Sequence, residues 1–270
     1  FGIVRTMYKN QYHDQMPRIG APFDTILLED LEIAPDYKFY IFMDTFYVTE
    51  RQRAVIEKKV KRNGNTALWL FGAGYVTDKG LSDAAMKELT GIDIAAYDGG
   101  GKMRMTLCDA EHPITRGVMP GIQFETADET GPLFYSRDKD ARILGMTNVV
   151  PCTNSEGVFK SGSETMPGFV VKEMDNWHSV WCAVPNIPPA LLRNMAKEAG
   201  VHIYSDGDDV VYANRFIVSV TARYGGERTI KLPKPCMVVD AFTGEVVSEK
   251  TGSFNADLKQ YETKIWRLEY

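Results

Sequence analysis

The sequence is poor in cysteine and contains no long apolar run. Its four cysteines are scattered, with no Cys-x-x-Cys pair and no histidine at metal-ligand spacing; they are Cys108, Cys152, Cys182 and Cys236. This spacing indicates neither a zinc site nor a disulfide framework, and we expect no metal and no cofactor. No apolar run approaches the roughly 20 residues that a membrane-spanning helix needs, so the sequence predicts no membrane span.

The chain also lacks an excess of basic charge. It has 31 Lys and Arg against 36 Asp and Glu, and no run rich in Lys and Arg, which argues against a nucleic-acid partner. With 44% hydrophobic residues, the 270-residue chain has a globular composition and room for two domains. No signal peptide is visible, and the bacterial cytoplasm, the periplasm and secretion all stay open. Because the chain begins at Phe1 rather than Met, we expect a processed or cut start.

Helices and strands alternate over residues 1–91. Thr49 and Gln52 are spaced as a capping box that opens one helix, and Ser82 is a candidate cap for another. The apolar spacing predicts a first helix over 2–19 and strands over 23–31, 37–45 and 67–71. Such alternation is typical of a flavodoxin-like α/β fold, a parallel sheet with helices on both faces. That sheet usually starts with a strand, so we expect its first strand to be missing here.

The second half of the chain changes its periodicity. Residues 97–102 and 152–168 have the composition of loops, and 168–185 predict a pair of strands. Pro188 and Pro189 open a helix that ends at Gly200. Beyond about residue 204, short alternating strands and Gly turns predict a small antiparallel β-sandwich. The predicted domains are therefore an α/β domain over 1–204 and a β-sandwich over 205–270.

The stretch "ALWLFGAGYV" (67–76) is the first candidate for chemistry. A strand that ends in Gly72-Ala73-Gly74 matches the start of a dinucleotide-binding loop, but Thr77 replaces the third glycine. The stretch also resembles a nucleophile elbow, in which glycines flank a Ser or Cys lifted out of the sheet. Its central residue is Ala73, and a methyl group cannot attack a substrate. A tight turn whose glycines permit close packing is the favoured interpretation.

Other residues allow competing hypotheses for a reactive or sugar-binding site. Cys108 has His112 four residues away, the residue types of a Cys–His pair, although an isolated Cys is more often buried and inert. Cys182 lies between apolar residues, as a core cysteine does. His178 beside Trp177 and Trp181 would suit a sugar site, but aromatic residues in a strand more often belong to a core or an interface.

Paired carboxylates are a further hypothesis, because glycoside hydrolysis uses two of them. Glu29 and Asp30 are neighbours, and neighbours on a strand point to opposite faces, so they cannot converge from a regular strand. Glu125 and Glu129 are four residues apart and can share a face. The stretch "SDGDD" (205–209) is acidic enough for calcium but lacks EF-hand spacing, so a turn is favoured.

The order of several motifs carries a resemblance to a known family. These motifs are Gly20-x-Pro22-x-Asp24, "EDL" (29–31), "DYKFYIF" (36–42), "RNGNT" (62–66), "WLFGAGYV" (69–76) and "MKELTGI" (86–92). In this order they resemble the trimerisation domain that follows the barrel in glycoside hydrolase family 42 β-galactosidases. That domain is similar in fold to class I glutamine amidotransferases. The tail over 207–233 resembles the small β-sandwich that ends such enzymes.

The resemblance implies a supporting role rather than catalysis. The two catalytic glutamates of the family lie on an upstream barrel, so no catalytic residue is expected in this chain. We expect a homo-oligomer, a trimer by resemblance, whose partner is the upstream (β/α)8 barrel of the same polypeptide. A carbohydrate-binding module and a stand-alone Cys hydrolase stay open as alternatives. A ligand would lie beyond the carboxyl ends of the strands, at Asp44, Gly72, Ala73, Gly74 and Tyr75.

Overall fold

The computed structural model of the protein describes residues 2–119, 121–150 and 165–270. Packing of the Cα trace divides the chain into two compact units. The first unit comprises Phe1–Gln11 and Thr25–Pro188, and the second comprises Tyr12–Asp24 and Pro189–Tyr270. These limits differ from the predicted division at residue 204, which stays a prediction. The predicted loop over 152–168 lies largely outside the described residues.

Helices occupy the places that the sequence predicts. The first turn of helix, α1 (Gly2–Arg5), continues as a π-helix over Thr6–Gln15 and a 3-10 turn over Met16–Arg18. Helix α2 (Glu50–Lys59) begins with the predicted capping box of Thr49 and Gln52, and Ser82 caps α3 (Asp83–Thr90). Of the described helices, none is both long and apolar enough to cross a membrane.

The first unit is built around a seven-stranded sheet and two small two-stranded sheets. In chain order its strands are β1 (Phe39–Phe42), β2 (Asn65–Leu70), β3 (Val76–Thr77), β4 (Gly80–Leu81), β5 (Ile94–Tyr97), β6 (Lys102–Leu107), β7 (Gln123–Glu125), β8 (Leu133–Ser136), β9 (Arg142–Val150), β10 (Met166–Glu173) and β11 (Trp177–Cys182). The large sheet has the order β1-β2-β11-β10-β9-β6-β7, while β3 pairs with β4 and β5 with β8.

The large sheet is mixed, which corrects the prediction of a parallel sheet. Strands β1, β2 and β11 run parallel to one another, whereas β10, β9, β6 and β7 are joined by antiparallel ladders. The reason lies in the connections, because parallel neighbours need a crossover that is usually helical. Helix α2 supplies one between β1 and β2, whereas the described residues from β5 to β11 contain no helix.

The predicted strand over 23–31 is wrong. Residues 28–30 form a 3-10 turn, Leu27 before it is extended, and residues 25–27 belong to no described strand. Their apolar side chains are open to solvent, with Ile26 39% and Leu27 65% exposed. A strand needs a partner for its backbone groups, and the alternation of apolar residues that predicted it carries no information about that partner.

The second unit contains helix α4 (Pro189–Glu198) and a five-stranded antiparallel sheet. The strands are β12 (Val210–Ala213), β13 (Ile217–Thr221), β14 (Gly226–Asp240), β15 (Val246–Leu258) and β16 (Thr263–Glu269), in the order β12-β13-β16-β14-β15. Hydrogen bonds join all five into one sheet, so the predicted sandwich of two sheets is not confirmed. Pro233 and Pro235 lie where the β14–β15 register shifts, because proline cannot donate to the ladder.

Candidate functional site

The candidate site is the turn that follows β2, at the carboxyl ends of the parallel strands. Every residue of β2 is buried, and Phe71 comes next with φ = 56°, a left-handed conformation that a bulky side chain rarely adopts. The Phe71 N–H donates to the Cys182 carbonyl oxygen at 2.9 Å, and its own carbonyl oxygen accepts from Trp181 Nε1 at 2.7 Å. Residues of the neighbouring strand β11 therefore hydrogen-bond both the N–H and the carbonyl oxygen of Phe71, and these bonds hold the strained residue in place.

This geometry resembles a nucleophile elbow at a different residue from the one the sequence indicated. In an elbow the strained residue directly after the strand is the nucleophile, exposed above the sheet. Here that residue is Phe71, which is 4% exposed, while Ala73 is fully buried. The turn then leads into the β3–β4 hairpin, and helix α3 begins only at Asp83. The strained position thus holds a benzyl group that cannot act as a nucleophile.

Aromatic rings fill the space above the turn. A Cβ added to Gly72 would lie 2.8 Å from Cζ of Phe134, so only glycine permits this approach of the ring. The Phe134 ring is 1% exposed and meets the rings of Phe71 and Tyr75 edge-on, at centroid distances of 4.8 and 5.0 Å. Gly74 has φ = 76°, which glycine adopts without strain. The glycines therefore serve close packing, as the favoured interpretation of the sequence holds.

The structure brings the loop after β1 against the same turn. Gly74 N–H donates to the Thr45 carbonyl oxygen at 2.8 Å, and Val76 N–H donates to that of Phe46 at 2.8 Å. Asp44 is exposed at this edge, where its Oδ2 accepts from the Tyr8 hydroxyl at 2.8 Å. All five predicted crevice residues, Asp44, Gly72, Ala73, Gly74 and Tyr75, thus lie on two adjoining loops.

Tyr75 and Asp44 are the predicted crevice side chains that solvent reaches, since Gly72, Ala73 and Gly74 are buried. Partial burial raises the pKa of the Tyr75 hydroxyl above its ordinary value, and the carboxylates of Asp83 and Asp98 raise it further. Tyr75 is therefore a neutral hydroxyl at physiological pH, suited to hydrogen bonding rather than to acid–base chemistry.

The described cysteines examined as nucleophiles lack a lowered pKa. Cys108 is exposed to solvent, but partial desolvation raises the pKa of its thiol, and the neighbouring Asp109 carboxylate raises it further. His112 is engaged locally, with its Nδ1 accepting from Ile114 N–H at 3.2 Å. Complete burial raises the pKa of Cys182 to about 12, and its thiol donates to the Val184 carbonyl oxygen. Cys152 lies outside the described residues. A reactive thiolate needs the opposite shift.

Glu125 and the aspartates of 205–209 pair with basic side chains, whereas Glu29 and Asp30 are exposed to solvent. Glu125 accepts from Arg104 at 3.2 Å, and Glu29 and Asp30 are exposed in the 3-10 turn. Each aspartate of 205–209 has cationic partners: Lys197 and Lys231 for Asp206, Arg18 and Arg223 for Asp208, and Arg228 for Asp209. Among the residues that the structure describes, no group of three His, Cys, Asp or Glu side chains is placed to hold a metal ion.

The indoles of β11 belong to the core rather than to a sugar platform. Trp177 is 6% exposed and Trp181 is fully buried, so neither ring offers a face to a ligand. His178 lies between them on the other side of the strand, with Nδ1 2.6 Å from Oε2 of Glu173 on β10. This pair is open to solvent and joins two neighbouring strands.

Comparison with known proteins identifies the fold. No protein-family model and no curated protein matches the sequence. Among solved structures, the chain is similar to a β-galactosidase from Bacillus circulans sp. alkalophilus, with a TM-score of 0.61 and 17% identity over 98% of this chain and 37% of that one. It is also similar to a cold-adapted β-galactosidase from Rahnella sp. R3, with a TM-score of 0.60 and 13% identity over 96% and 36%.

A third similar structure is that of a haloarchaeal enzyme. The polyextremophilic β-galactosidase of the haloarchaeon Halorubrum lacusprofundi has a TM-score of 0.51 and 12% identity, over 86% of this chain and 31% of that one. At these identities the likeness shows a shared fold. The chain is an α/β protein with a separate antiparallel sheet, and it spans about a third of the length of the β-galactosidases that it matches.

Proposed function

We propose that the chain is a non-catalytic part of a β-galactosidase-like glycoside hydrolase. Its role is to assemble subunits and to support the active site of a (β/α)8 barrel that precedes it in the same polypeptide. The observation that carries the proposal is the overlap, in which 98% of this chain matches only 37% of a β-galactosidase chain. A domain of a larger enzyme gives this combination of near-complete and one-third coverage.

The turn after β2 supports the non-catalytic part of the proposal. Its strained position holds Phe71, its following residues are buried, and the Phe134 ring occupies the space where a substrate would meet a nucleophile. The finer elements, an amidotransferase-like fold for the first unit and a trimeric assembly, come from the motif order of the sequence. In such an assembly the chain would hold neighbouring barrels together.

Sedimentation and hydrolysis together test this function. We expect the parent polypeptide to sediment as an oligomer, and removal of residues 1–270 from it to abolish assembly and to lower hydrolysis of nitrophenyl galactoside. The chain alone should associate but hydrolyse nothing. A strict monomer for both the parent polypeptide and the chain would refute the assembly role, and hydrolysis by the chain alone would refute the non-catalytic one.

Carbohydrate binding is the second candidate, and two exposed tyrosines favour it. Tyr8 and Tyr47 are 45% and 44% exposed at the carboxyl ends of β1 and β2. The Tyr8 hydroxyl donates to Asp44, and the Tyr47 hydroxyl donates to Asp78 at 2.6 Å. An aromatic face beside a carboxylate suits a sugar, which offers an apolar face and hydroxyl donors.

Calorimetry against a panel of galactosides tests this second candidate. We expect heat with the native chain and its loss in Tyr8→Ala and Tyr47→Ala, with Tyr75→Ala as a third variant at the adjoining loop. Tyr224→Ala is the matched control, because Tyr224 is also exposed, at 56%, but lies in the second unit. The absence of heat with every sugar would reject carbohydrate binding and leave the assembly role untouched.

A further inference from the structure

A groove lies between helix α2 and the segment that leads into β1. Its volume is about 440 Å³, in the size range of small-molecule sites, which runs from about 300 to 1,000 Å³. Four basic side chains, two carboxylates and two apolar side chains line it. None of them belongs to the turn after β2 or to the two exposed tyrosine–aspartate pairs, so the groove is a separate candidate for a binding site.

A lysine holds the segment over 32–36 against the helix. The side chain of Lys59, on the last turn of α2, is largely buried. Its Nζ donates to the Glu32 carbonyl oxygen at 3.2 Å and also to the Ala34 carbonyl oxygen. Because these bonds reach backbone atoms, they fix the course of the segment rather than the conformation of one side chain. The two walls of the groove are therefore tied together before any ligand enters.

Ion pairs stand at the two ends of the helix, and an unpaired cation lies between them. Arg51, in the first turn of α2, donates to Glu32 Oε2 at 3.0 Å. Arg62, just beyond the last turn, donates to Asp36 Oδ2 at 2.9 Å. Lys58 is exposed between the two pairs, and among the described residues it has neither a hydrogen-bond partner nor an ion-pair partner. Both carboxylates of the groove are thus engaged, while one of its cations is free.

The guanidinium of Arg62 is only partly satisfied. Its Nη2 pairs with Asp36, whereas its Nε is buried and has no hydrogen-bond partner in the part of the chain that the structure describes. An unsatisfied buried donor in a native structure calls for an acceptor. The planar arginine fork matches two oxygens of a phosphate or a carboxylate. Because Nε is shielded here, the side chain would turn toward the groove when it binds such a group.

The charge of the groove suits a phosphate monoester. Its four basic and two acidic side chains leave a net charge of +2, although the whole chain carries −5. A phosphate monoester carries about −1.5 to −2 at pH 7. Val55 and Ala54 lie three and four residues before Lys58, so all three share one side of α2. The groove therefore offers an apolar surface beside its cations, which inorganic phosphate cannot use.

We infer that this groove binds a small organic phosphate. Lys58 and Arg62 hold the phosphate, because they are four residues apart and line the same groove with donors to spare. Val55 and Ala54 contact the organic part of the ligand, and Arg51 adds to the positive field from the other end of the groove. The inference goes beyond the proposed function and does not rest on it.

Calorimetry with phenyl phosphate tests the inference on the 270-residue chain. We expect saturable binding that weakens as sodium chloride is added, because salt screens the attraction between exposed charges. Lys58→Gln removes the unpaired cation and should weaken binding on the order of tenfold. Lys79→Gln is the matched control and should bind as the native chain does, because Lys79 is also exposed in the first unit but lies on the β3–β4 hairpin.

Arg62→Lys provides a second readout. It keeps the positive charge but removes the planar fork, so it should also weaken the binding of phenyl phosphate. Circular dichroism checks that each variant is folded. Because Lys58 is exposed on the helix, Lys58→Gln should keep the native fold and carries the test even if Arg62→Lys does not fold.

Three related ligands identify which part of phenyl phosphate is bound. Phenyl phosphate should bind more tightly than inorganic phosphate, which lacks the apolar part, and than benzoate, which carries less charge. Phenol should give no heat. The inference is overturned if phenyl phosphate does not bind saturably, or if Lys58→Gln binds it as tightly as the native chain does. Equal affinity for inorganic phosphate, or a higher affinity for benzoate or phenol, would likewise overturn the assignment of an organic phosphate.

Discussion

The indole Nε1 of Trp181 donates a 2.7 Å hydrogen bond to the carbonyl oxygen of Phe71, the residue that follows β2 in a left-handed conformation. Both residues are buried, so the carbonyl oxygen has no access to water. A strained residue persists only when its surroundings fix it. The bond from β11 is one of the contacts that hold the turn in this conformation.

We expect Trp181→Phe to destabilise the first unit. The ring is largely retained, but the Phe71 carbonyl oxygen loses its donor, and an unsatisfied buried acceptor costs about 1–3 kcal/mol. Urea unfolding measures this change. Trp177→Phe on the same strand is the matched control. That indole donates no described hydrogen bond, so this variant should lose less stability. Equal losses in the two variants would contradict a special role of the Trp181 bond.

We expect Cys108 to react slowly with iodoacetamide at neutral pH. Burial and Asp109 raise the pKa of its thiol, so less thiolate is present than in an ordinary cysteine, and the rate should rise as pH increases through that pKa. Peptide-resolved mass spectrometry would separate Cys108 from the other cysteines. Asp109→Asn removes the nearby negative charge and should speed the reaction. Rapid alkylation of the native protein at neutral pH would revive the Cys hydrolase hypothesis.

A buried ion pair makes the first unit sensitive to acid. The Asp138 side chain is 4% exposed, and Lys172 Nζ donates to its Oδ2 at 2.8 Å. Burial alone would raise the pKa of Asp138, but the bonds from Lys172 and from the Asp93 and Asp140 N–H groups outweigh it and lower the pKa. A lowered folded pKa contributes stability that is present above the unfolded pKa of about 3.9 and lost as pH falls through the folded pKa.

Lys172→Met should therefore reduce the free energy of unfolding by about 3 kcal/mol at pH 7, because it leaves the Asp138 carboxylate without its cation. The difference from the native protein should shrink as pH falls below about 3.9, and it should vanish below the lowered pKa that Asp138 has in the folded native protein. Denaturant unfolding at several pH values measures both effects. Lys139→Met removes an exposed charge beside Asp138 and should change the stability little. A pH-independent loss in Lys172→Met would count against the ion pair as its cause.

The second unit contains a comparable pair. Arg228 Nε donates to Asp209 Oδ2 at 2.6 Å, and the Asp209 side chain is 2% exposed. Arg228→Met leaves a buried carboxylate without its cation and should reduce the free energy of unfolding by about 3–5 kcal/mol. Arg267→Met, which breaks an exposed pair with Glu269, should cost less than about 1 kcal/mol. Thermal unfolding compares the two variants, and a similar small shift in both would refute the importance of the Asp209 pair.

Features that depend only on neighbouring residues could be predicted from the sequence. The capping box of Thr49 and Gln52 and the cap at Ser82 were predicted and are confirmed, because each is specified within four residues. The strand pair over 168–185 is likewise confirmed as β10 and β11. These features need no knowledge of distant parts of the chain.

Features that depend on residues far apart in the chain could not be predicted from the sequence. The sequence indicated Ala73 as the centre of the turn, whereas the strained residue is Phe71, because a positive φ at a bulky residue has no local sequence signal. The strand expected over 23–31 is absent, because no described strand pairs with that stretch. The sheet is mixed because the described residues between β5 and β11 contain no crossover helix. The cations around 205–209 come from positions as far apart as Arg18 and Lys231.

The Phe134 ring limits how a nucleophile could be introduced into this turn. A cysteine placed at position 71 would inherit the strained backbone, yet it would lie beneath a ring that is 1% exposed and would meet no dissolved substrate. Truncating Phe134 alone would open the space but offer no nucleophile. An accessible nucleophile at position 71 would therefore need both substitutions, and each one removes a buried ring. No single substitution therefore gives the strained position of this turn an accessible nucleophile.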